Sequence, residues 1–128
     1  MGTHGMILFG HGARDARWQE PFQRLAVKLA AARGEAAPVG LAFLELMTPD
    51  LPTAIAGQVE AGCDTITVIP VFFGQGGHVR RDLPALIAQC QALHPEVRLR
   101  CAGAVGEDDA VLDAIVQYCL ENQSAEPR

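Results

Sequence analysis

The sequence lacks the features that mark membrane and secreted proteins. Its longest uncharged stretch, residues 65–79, is interrupted by Pro70 and by small residues, so it is too short and too broken to span a bilayer. The few residues before the first apolar run include no Lys or Arg, and no secretory signal is expected. We therefore expect a soluble, cytoplasmic protein with no membrane partner.

An excess of basic residues is also missing. The chain has 10 Lys and Arg against 15 Asp and Glu, which gives a formal net charge of −5. The basic residues are scattered along the sequence, whereas nucleic-acid-binding domains concentrate them. We expect no nucleic-acid partner.

The four cysteines show none of the close pairing that structural zinc sites use. No C-x-x-C motif joins Cys63, Cys90, Cys101 and Cys119. We expect reduced thiols that behave as small hydrophobic side chains, as is usual in cytosolic proteins. Cys90 and Cys119 fall on the apolar stripes of two predicted helices.

Alternating strand and helix patterns run through the whole chain. With 128 residues, 49% of them hydrophobic, the chain suits a single domain over 1–128 with one core. The pattern βαβαβαβα predicts an α/β fold with a single four-stranded parallel sheet and helices on both faces. The predicted strands are 6–9, 39–46, 65–73 and 97–102, with the last at a sheet edge, and helices begin after Asp15, at Pro52, around Leu83 and at Glu107–Asp109. The polar tail, 122–128, is expected to be frayed.

Ligands in open parallel sheets bind beyond the carboxyl ends of the strands. The loop after the first predicted strand carries Gly10, His11 and Gly12, and the loop after the third carries Gly76, Gly77 and His78. Glycine lets the backbone approach a ligand closely, and a neutral imidazole can bind a metal ion or accept a proton near pH 7.

Glu45, near the end of the second predicted strand, could join the two histidines. His11, His78 and Glu45 would then form an open divalent-metal site suited to cobalt, nickel, iron or zinc. His4 and His94 are expected to have no such role.

Several other chemistries fail on spacing. Asp15 stands where a dinucleotide-binding loop would have its third glycine, and neither G-x-x-x-x-G-K nor H-E-x-x-H occurs. A phosphohistidine at His11 is disfavoured because Gly10, not a basic residue, precedes it. A flavodoxin-like module that binds a metal ion or a small acid without turnover remains the alternative to an enzyme.

Three segments together resemble the small class II tetrapyrrole chelatases, and more narrowly the short CbiX-type sirohydrochlorin cobaltochelatases, which are related to siroheme ferrochelatases. The segments are residues 8–15, 42–46 and 76–84, and the likeness runs from about Met6 to Leu120. The resemblance implies a chelatase-like fold, a flavodoxin-like half unit. It also implies a lyase that inserts a divalent metal into sirohydrochlorin without ATP, in cobalamin or siroheme biosynthesis. The metal would be a substrate, Co²⁺ in preference to Fe²⁺ or Ni²⁺, and no organic cofactor is implied.

The resemblance also assigns roles to individual residues. His11 and His78 match the metal-binding, proton-accepting histidines of the family, and Glu45 matches its assisting acidic residue. Ala13 stands where many relatives have Ser, so it is given no polar role.

Sirohydrochlorin carries eight carboxylate arms, so a net acidic protein needs local positive charge to bind it. Arg14 and Arg80 lie beside the two histidine loops and are predicted to pair with these carboxylates. Gly10, Gly12, Gly76 and Gly77 are predicted to let the substrate approach the backbone.

The short chain also bears on assembly. Four strands offer little wall to enclose a macrocycle, and longer class II chelatases fuse two such units around one cleft. A homodimer with the cleft between like subunits is therefore expected.

Overall fold

Four parallel strands form the sheet of the computed structural model, in the spatial order β2-β1-β3-β4. The strands are β1 (Thr3–Gly10), β2 (Val39–Phe43), β3 (Cys63–Pro70) and β4 (Arg98–Cys101). The helices are α1 (Gln19–Arg33), α2 (Leu51–Glu60), α3 (Gly77–Leu93) and α4 (Asp109–Glu121), with 3₁₀ turns at Ala16–Trp18 and Val105–Glu107. The predicted α/β class and the four-stranded parallel sheet are confirmed.

The structure describes residues 3–74 and 76–123, and only the backbone of Gly77 and His78. The predicted frayed tail therefore lies outside the described residues beyond position 123. Among the residues described, no helix is long and apolar enough to cross a membrane. That residues 1–128 form a single domain stays a prediction.

The strand order explains where a ligand site belongs. β1 pairs with both β2 and β3, so the chain moves to one side of β1 and then returns to the other. Ligands bind at this kind of reversal, because the loops leaving adjacent strands diverge there and open a crevice. The loop after β1 carries His11, the loop after β2 carries Glu45, and His78 lies in the first turn of the helix that follows the β3 loop.

The main core lies between one face of the sheet and helices α2 and α3. Phe9 and Val68 of the sheet are fully buried there, together with Ile55 of α2 and nearly all of Leu83 of α3. Asp50 caps the amino end of α2 by accepting a hydrogen bond from the Thr53 backbone N–H at 2.9 Å. The core anchors the strands whose carboxyl ends carry the candidate site.

Helix α1 covers part of the opposite face. The Phe22 ring lies edge-on to Phe43, with ring centroids 5.4 Å apart. Phe43 pairs in register with Gly10, whereas the core-facing Phe9 pairs with Ala42, so α1 and α2 lie on different faces. The prediction of helices on both faces is confirmed.

Helix α4 packs along the Val105–Glu107 turn, and none of its residues is buried. Five of its apolar residues recur at helical spacing and are exposed: Leu112, Ile115, Val116, Cys119 and Leu120. Val111, at the start of the same stripe, is half-buried. The predicted apolar stripe thus exists but has no covering surface within the described part of the chain. Cys119 is exposed on it, in contrast to Cys90, which is buried in α3.

The cysteines are unpaired, as predicted. All four are free thiols, and burial raises the pKa of the Cys63, Cys90 and Cys101 thiols. These three are thus less readily ionised than an ordinary cysteine.

Two predicted strand ends are wrong. β2 stops at Phe43, not at 46, because Leu46 has φ of 66° and turns the chain away from the sheet. β3 stops at Pro70, not at 73, and Phe72 is buried in part by loop packing instead of strand pairing. An apolar run indicates burial, and both a strand and a packed loop can provide it.

The start predicted for the third helix is also wrong. Helix α3 begins at Gly77, six positions before Leu83, so His78 lies in its first turn and not in a loop. The glycines before it predicted a longer loop, whereas Gly76 serves as the N-cap of the helix.

Candidate functional site

His11 and Glu45 are brought together by backbone pairing that continues past the ends of β1 and β2. The Leu44 N–H donates to the Gly10 carbonyl at 2.9 Å, and the Glu45 N–H donates to the His11 carbonyl at 3.2 Å. The two side chains follow, and His11 Nε2 lies 3.7 Å from Glu45 Oε1. The side chains remain 57% and 55% exposed, so a substrate can reach both.

Gly12 makes this close approach possible. Its φ is 96°, in the left-handed region that side-chain-bearing residues rarely adopt, and a Cβ there would collide with the Glu45 carbonyl oxygen. At Gly10 a Cβ would collide with the Phe22 ring. Both glycines therefore have a packing role, and their contact with substrate stays a prediction.

The backbone turns sharply directly after Glu45. Leu46 occupies the left-handed region at φ 66°, which is uncommon for a residue with a branched side chain. Strain of this kind costs on the order of 1–3 kcal/mol and clusters at functional sites. Because the chain turns at Leu46, Glu45 stays at the carboxyl end of the sheet and does not continue β2.

Arg14 lines a cavity of about 250 Å³ between the loops that carry His11 and Glu45. Met47 and Thr48 form the other wall, and Ala13 contributes no hydroxyl to it. Nearby, Arg17 binds the Asp15 carboxylate at 2.7 Å, and this hydrogen bonding lowers the pKa of Asp15. Arg14, by contrast, has no carboxylate partner among the described residues, which leaves its guanidinium available to an anionic ligand.

The amino end of α3 forms the third part of the site. Gly76 is its N-cap, no described side chain caps the helix, and the Arg80 N–H donates to the Gly76 carbonyl at 2.9 Å. Among the described residues beyond its chain neighbours, no atom lies within 4 Å of the position a Cβ would take at Gly76, so they do not require glycine there. Exposed backbone N–H groups at a helix start attract anions.

The predicted three-residue metal site is described in part. His11 and Glu45 lie together, whereas the side chain of His78 lies outside the described residues. Among the side chains that are described, no group of three His, Cys, Asp or Glu residues converges. The ligand set His11, His78 and Glu45 therefore stays a prediction.

Two residues at the site were missed by sequence reasoning. The Phe72 ring lies edge-to-face with His11, with centroids 6.2 Å apart and planes at 71°. Glu107 Oε2 lies 3.9 Å from the Arg80 guanidinium. The sequence pattern assigns Phe72 to a strand and Glu107 to the start of a helix. No local pattern reveals the contacts of Phe72 with His11 and of Glu107 with Arg80, because the partners are far apart in sequence.

His4 lies far from this cluster. It is near the start of β1, and its Nε2 is 2.8 Å from the Thr67 hydroxyl. The sequence placed His4 before the first strand, whereas it lies inside β1 at the amino ends of the strands. That His4 takes no part in metal binding stays a prediction.

The arrangement combines a proton acceptor, a carboxylate and basic side chains on an open surface. Imidazole and carboxylate together are acceptable ligands for first-row divalent metals. Two such groups leave most of the coordination sphere free, so a bound ion could pass to another ligand.

Comparisons with known proteins agree on one family. The CbiX family model matches residues 5–122 of the chain. The sirohydrochlorin cobaltochelatase of Sulfolobus acidocaldarius is 29% identical over 122 residues, which cover 95% of this chain and 94% of that protein. The sirohydrochlorin ferrochelatase of Bacillus subtilis is 29% identical over 112 residues, but these cover 86% of this chain and only 42% of that longer protein.

Solved structures give the same result. A cobalamin-biosynthesis CbiX protein of Marinobacter aquaeolei VT8 superposes with a TM-score of 0.79 at 34% identity, over 96% of this chain and 99% of that one. The sirohydrochlorin chelatase SirB of Bacillus subtilis subspecies spizizenii, in complex with cobalt, superposes with a TM-score of 0.73 at 26% identity. That match covers 93% of this chain and 50% of SirB.

Proposed function

Because the chain belongs to the CbiX family, we propose that it is a sirohydrochlorin chelatase, a lyase that inserts a divalent metal ion into the tetrapyrrole without ATP. The observation that carries the proposal is the exposed His11–Glu45 pair at the carboxyl end of the sheet, 3.7 Å apart. The names of the relatives support the substrate, since they include sirohydrochlorin cobaltochelatases and a ferrochelatase.

Metal insertion requires a base, because two pyrrole N–H protons leave as the ion enters. The His11 imidazole is proposed to accept a proton, and the Glu45 carboxylate 3.7 Å away to stabilise the imidazolium that results. We propose His11, Glu45 and His78 as the residues that deliver the metal. A small number of protein ligands suits this task, because the macrocycle nitrogens must replace them.

The carboxylate arms of the substrate require positive charge and hydrogen-bond donors. Arg14 and Arg80 are proposed to bind them, since both guanidinium groups are exposed beside the His11 and His78 segments. The open space at Gly76 and the uncapped N–H groups of α3 support close approach of a carboxylate there.

Co²⁺ is proposed as the metal substrate, with Fe²⁺ and Ni²⁺ as alternatives. The cobaltochelatase names of several relatives favour cobalt, while the Bacillus subtilis relative is named for iron. Affinity alone does not separate these ions strongly, because nitrogen and oxygen ligands follow one general order of preference.

The working form is proposed to be a cytoplasmic homodimer. The apolar stripe of α4 is exposed to solvent, and a second subunit would bury it. This chain matches 50% of the SirB chain, so SirB is long enough to hold two such units. A second copy, which carries the same exposed stripe, is proposed to cover it.

The test is anaerobic incubation of the purified protein with sirohydrochlorin and Co²⁺, Fe²⁺ or Ni²⁺, followed by the visible absorption of the macrocycle. We expect insertion above the protein-free rate, lost in His11→Ala and in His78→Ala and kept in the control His94→Ala. A rate equal to the protein-free control would exclude the enzyme. Metal binding without turnover, measured by calorimetry, would instead support the non-catalytic binding module.

A further inference from the structure

We propose that Phe72 is a positioning residue that fixes the orientation of the His11 imidazole. The Phe72 and His11 rings meet edge-to-face, with centroids 6.2 Å apart and planes inclined by 71°. The consequence for metal insertion rests on the proposed function, whereas the orientation of the ring does not.

Phe72 is itself held firmly enough to serve as a reference surface. Its ring lies edge-to-face with that of Phe9, at 5.9 Å and 65°, and Phe9 is completely buried. The preceding residue, Val71, donates its N–H to the Phe9 carbonyl at 2.8 Å. Phe72 therefore connects the exposed His11 ring to the immobile core.

A second segment fixes the backbone of Phe72. The Gly106 N–H donates to the Phe72 carbonyl at 2.9 Å. A Cβ at Gly106 would collide with the backbone of Phe73, so the 3₁₀ turn Val105–Glu107 lies directly against this loop. The position of the Phe72 ring is thus set by β1 on one side and by this turn on the other.

His11 needs such a contact because little else among the described residues orients it. Its side chain is 57% exposed, and the side chain of Glu45, 3.7 Å away, is 55% exposed. Exposed pairs of this kind hold side chains weakly, since water competes for both groups. A histidine that must offer one nitrogen to a metal or a proton loses efficiency when its ring samples several rotamers.

An aromatic ring supplies what an aliphatic side chain cannot. The electron-rich face and electron-poor edge of a ring favour an edge-to-face geometry, so the contact selects an angle as well as excluding water. Leucine at position 72 would fill much of the same volume without that angular preference. The comparison between Leu and Tyr at this position therefore separates positioning from packing.

The experiment compares Phe72→Leu and Phe72→Tyr with the wild type. Val59→Ala, near the carboxyl end of α2, is the control for a partial loss of core packing away from His11. Carbon-13 relaxation of the His11 ring Cε1–Hε1 bond reports its order on the fast timescale, with the signal assigned from its loss in His11→Ala. Thermal unfolding confirms that each variant is folded.

We expect the His11 ring order to fall in Phe72→Leu and to stay near wild type in Phe72→Tyr and Val59→Ala. We also expect kcat for metal insertion to fall about 10-fold in Phe72→Leu, with KM for sirohydrochlorin changed by less than about 2-fold, because misorientation of a reacting group acts on the chemical step. Tyrosine is expected to restore kcat.

An unchanged His11 ring order in Phe72→Leu would overturn the proposal, whatever the activity. A lower ring order with wild-type kcat would overturn its catalytic consequence. If the wild type itself inserts no metal, the proposed function fails, and ring relaxation alone then decides whether Phe72 positions His11.

Discussion

The His11 imidazole and the Glu45 carboxylate face each other across two neighbouring strand ends, with Nε2 and Oε1 3.7 Å apart. Parallel pairing sets this distance, since the Glu45 N–H donates to the His11 carbonyl at 3.2 Å. The two residues thus lie opposite each other on the segments that follow the neighbouring strands β1 and β2. Their separation lets one divalent ion contact both groups.

Replacing Glu45 by Gln is expected to lower kcat for metal insertion by about 100-fold, the usual contribution of a group that assists proton transfer. Stability is expected to change by less than about 1 kcal/mol, because exposed ion pairs contribute little. Steady-state kinetics and urea unfolding measure the two effects. Glu20→Gln is the matched control, since Glu20 forms an exposed pair with Arg24 on α1. Equal kcat in Glu45→Gln and Glu20→Gln would contradict the role of Glu45.

Arg80 and Glu107 are expected to act in opposite directions on substrate binding. Arg80→Ala removes a cation that would pair with a substrate carboxylate, so KM is expected to rise more than kcat falls. Glu107→Gln removes the carboxylate that lies 3.9 Å from Arg80. KM in that variant is expected to fall about 2- to 5-fold at low salt and less at high salt, because salt screens exposed charges.

Initial rates over a range of sirohydrochlorin concentrations measure both changes. Arg24→Ala on α1 serves as a charge-matched control for Arg80→Ala. A KM for Arg80→Ala equal to that of the control would remove Arg80 from the substrate site.

Val116→Asp is expected to convert a dimer into a monomer, because it places a charge in the middle of the apolar stripe of α4. Gln117→Asp adds the same charge to a neighbouring exposed position and is expected to leave the dimer intact. Light scattering after size exclusion gives the mass of each variant. Activity is expected to fall in the monomer, because the proposed cleft lies between the two subunits. A wild-type protein that is monomeric and active would refute the dimeric cleft.

Gly12→Ala is expected to destabilise the protein by at least about 2 kcal/mol more than Gly62→Ala. Both glycines have similar positive φ angles, 96° and 97°, so alanine carries the same backbone cost at each. At Gly12 the added Cβ would collide with the Glu45 carbonyl oxygen. At Gly62 no described residue other than its chain neighbours lies within 4 Å of the added Cβ. Urea unfolding of the two variants measures the difference, and equal losses would show that backbone conformation alone requires Gly12.

Asp50 links stability to pH through the cap of α2. Hydrogen bonds from the Thr53 side chain and backbone lower the pKa of Asp50 below its ordinary value of 3.8. A folded-state pKa below the unfolded one adds stability that is complete above pH 3.8 and is lost as pH falls through the folded-state value. Asp50→Ala is expected to cost about 1 kcal/mol at neutral pH.

The difference between wild type and Asp50→Ala is therefore expected to shrink as pH falls below 3.8. Asp50→Asn keeps a capping oxygen that does not titrate, so its advantage over alanine is expected to persist in acid. Thermal unfolding across this pH range tests both. A gap between Asp50→Ala and wild type that is constant with pH would contradict the titrating cap.

The sequence predicted the architecture well because hydrophobic periodicity is local. Alternating apolar strands and helical stripes indicate a parallel sheet wherever each pattern is long enough, and β1 and α2 follow this rule closely. The same reasoning placed His11 and Glu45 at one end of the sheet, since all parallel strands end at the same edge. The family resemblance, carried by the glycine–histidine segments, was confirmed by the match over residues 5–122.

Only the tertiary structure decided which of these apolar residues are covered and which side chains meet. Phe72 and Leu46 both belong to apolar runs that predict strands, yet both lie in loops. The Phe72 ring packs against His11, and Leu46 adopts a left-handed backbone conformation. The stripe of α4 has the periodicity of a buried face, but whether a surface covers it depends on the arrangement of the other elements. Local pattern therefore determined the elements and the edge that carries the site, because backbone propensity and burial act over short stretches of chain. The approach of Glu45 and Phe72 to His11 was decided by tertiary packing, which joins residues far apart in sequence.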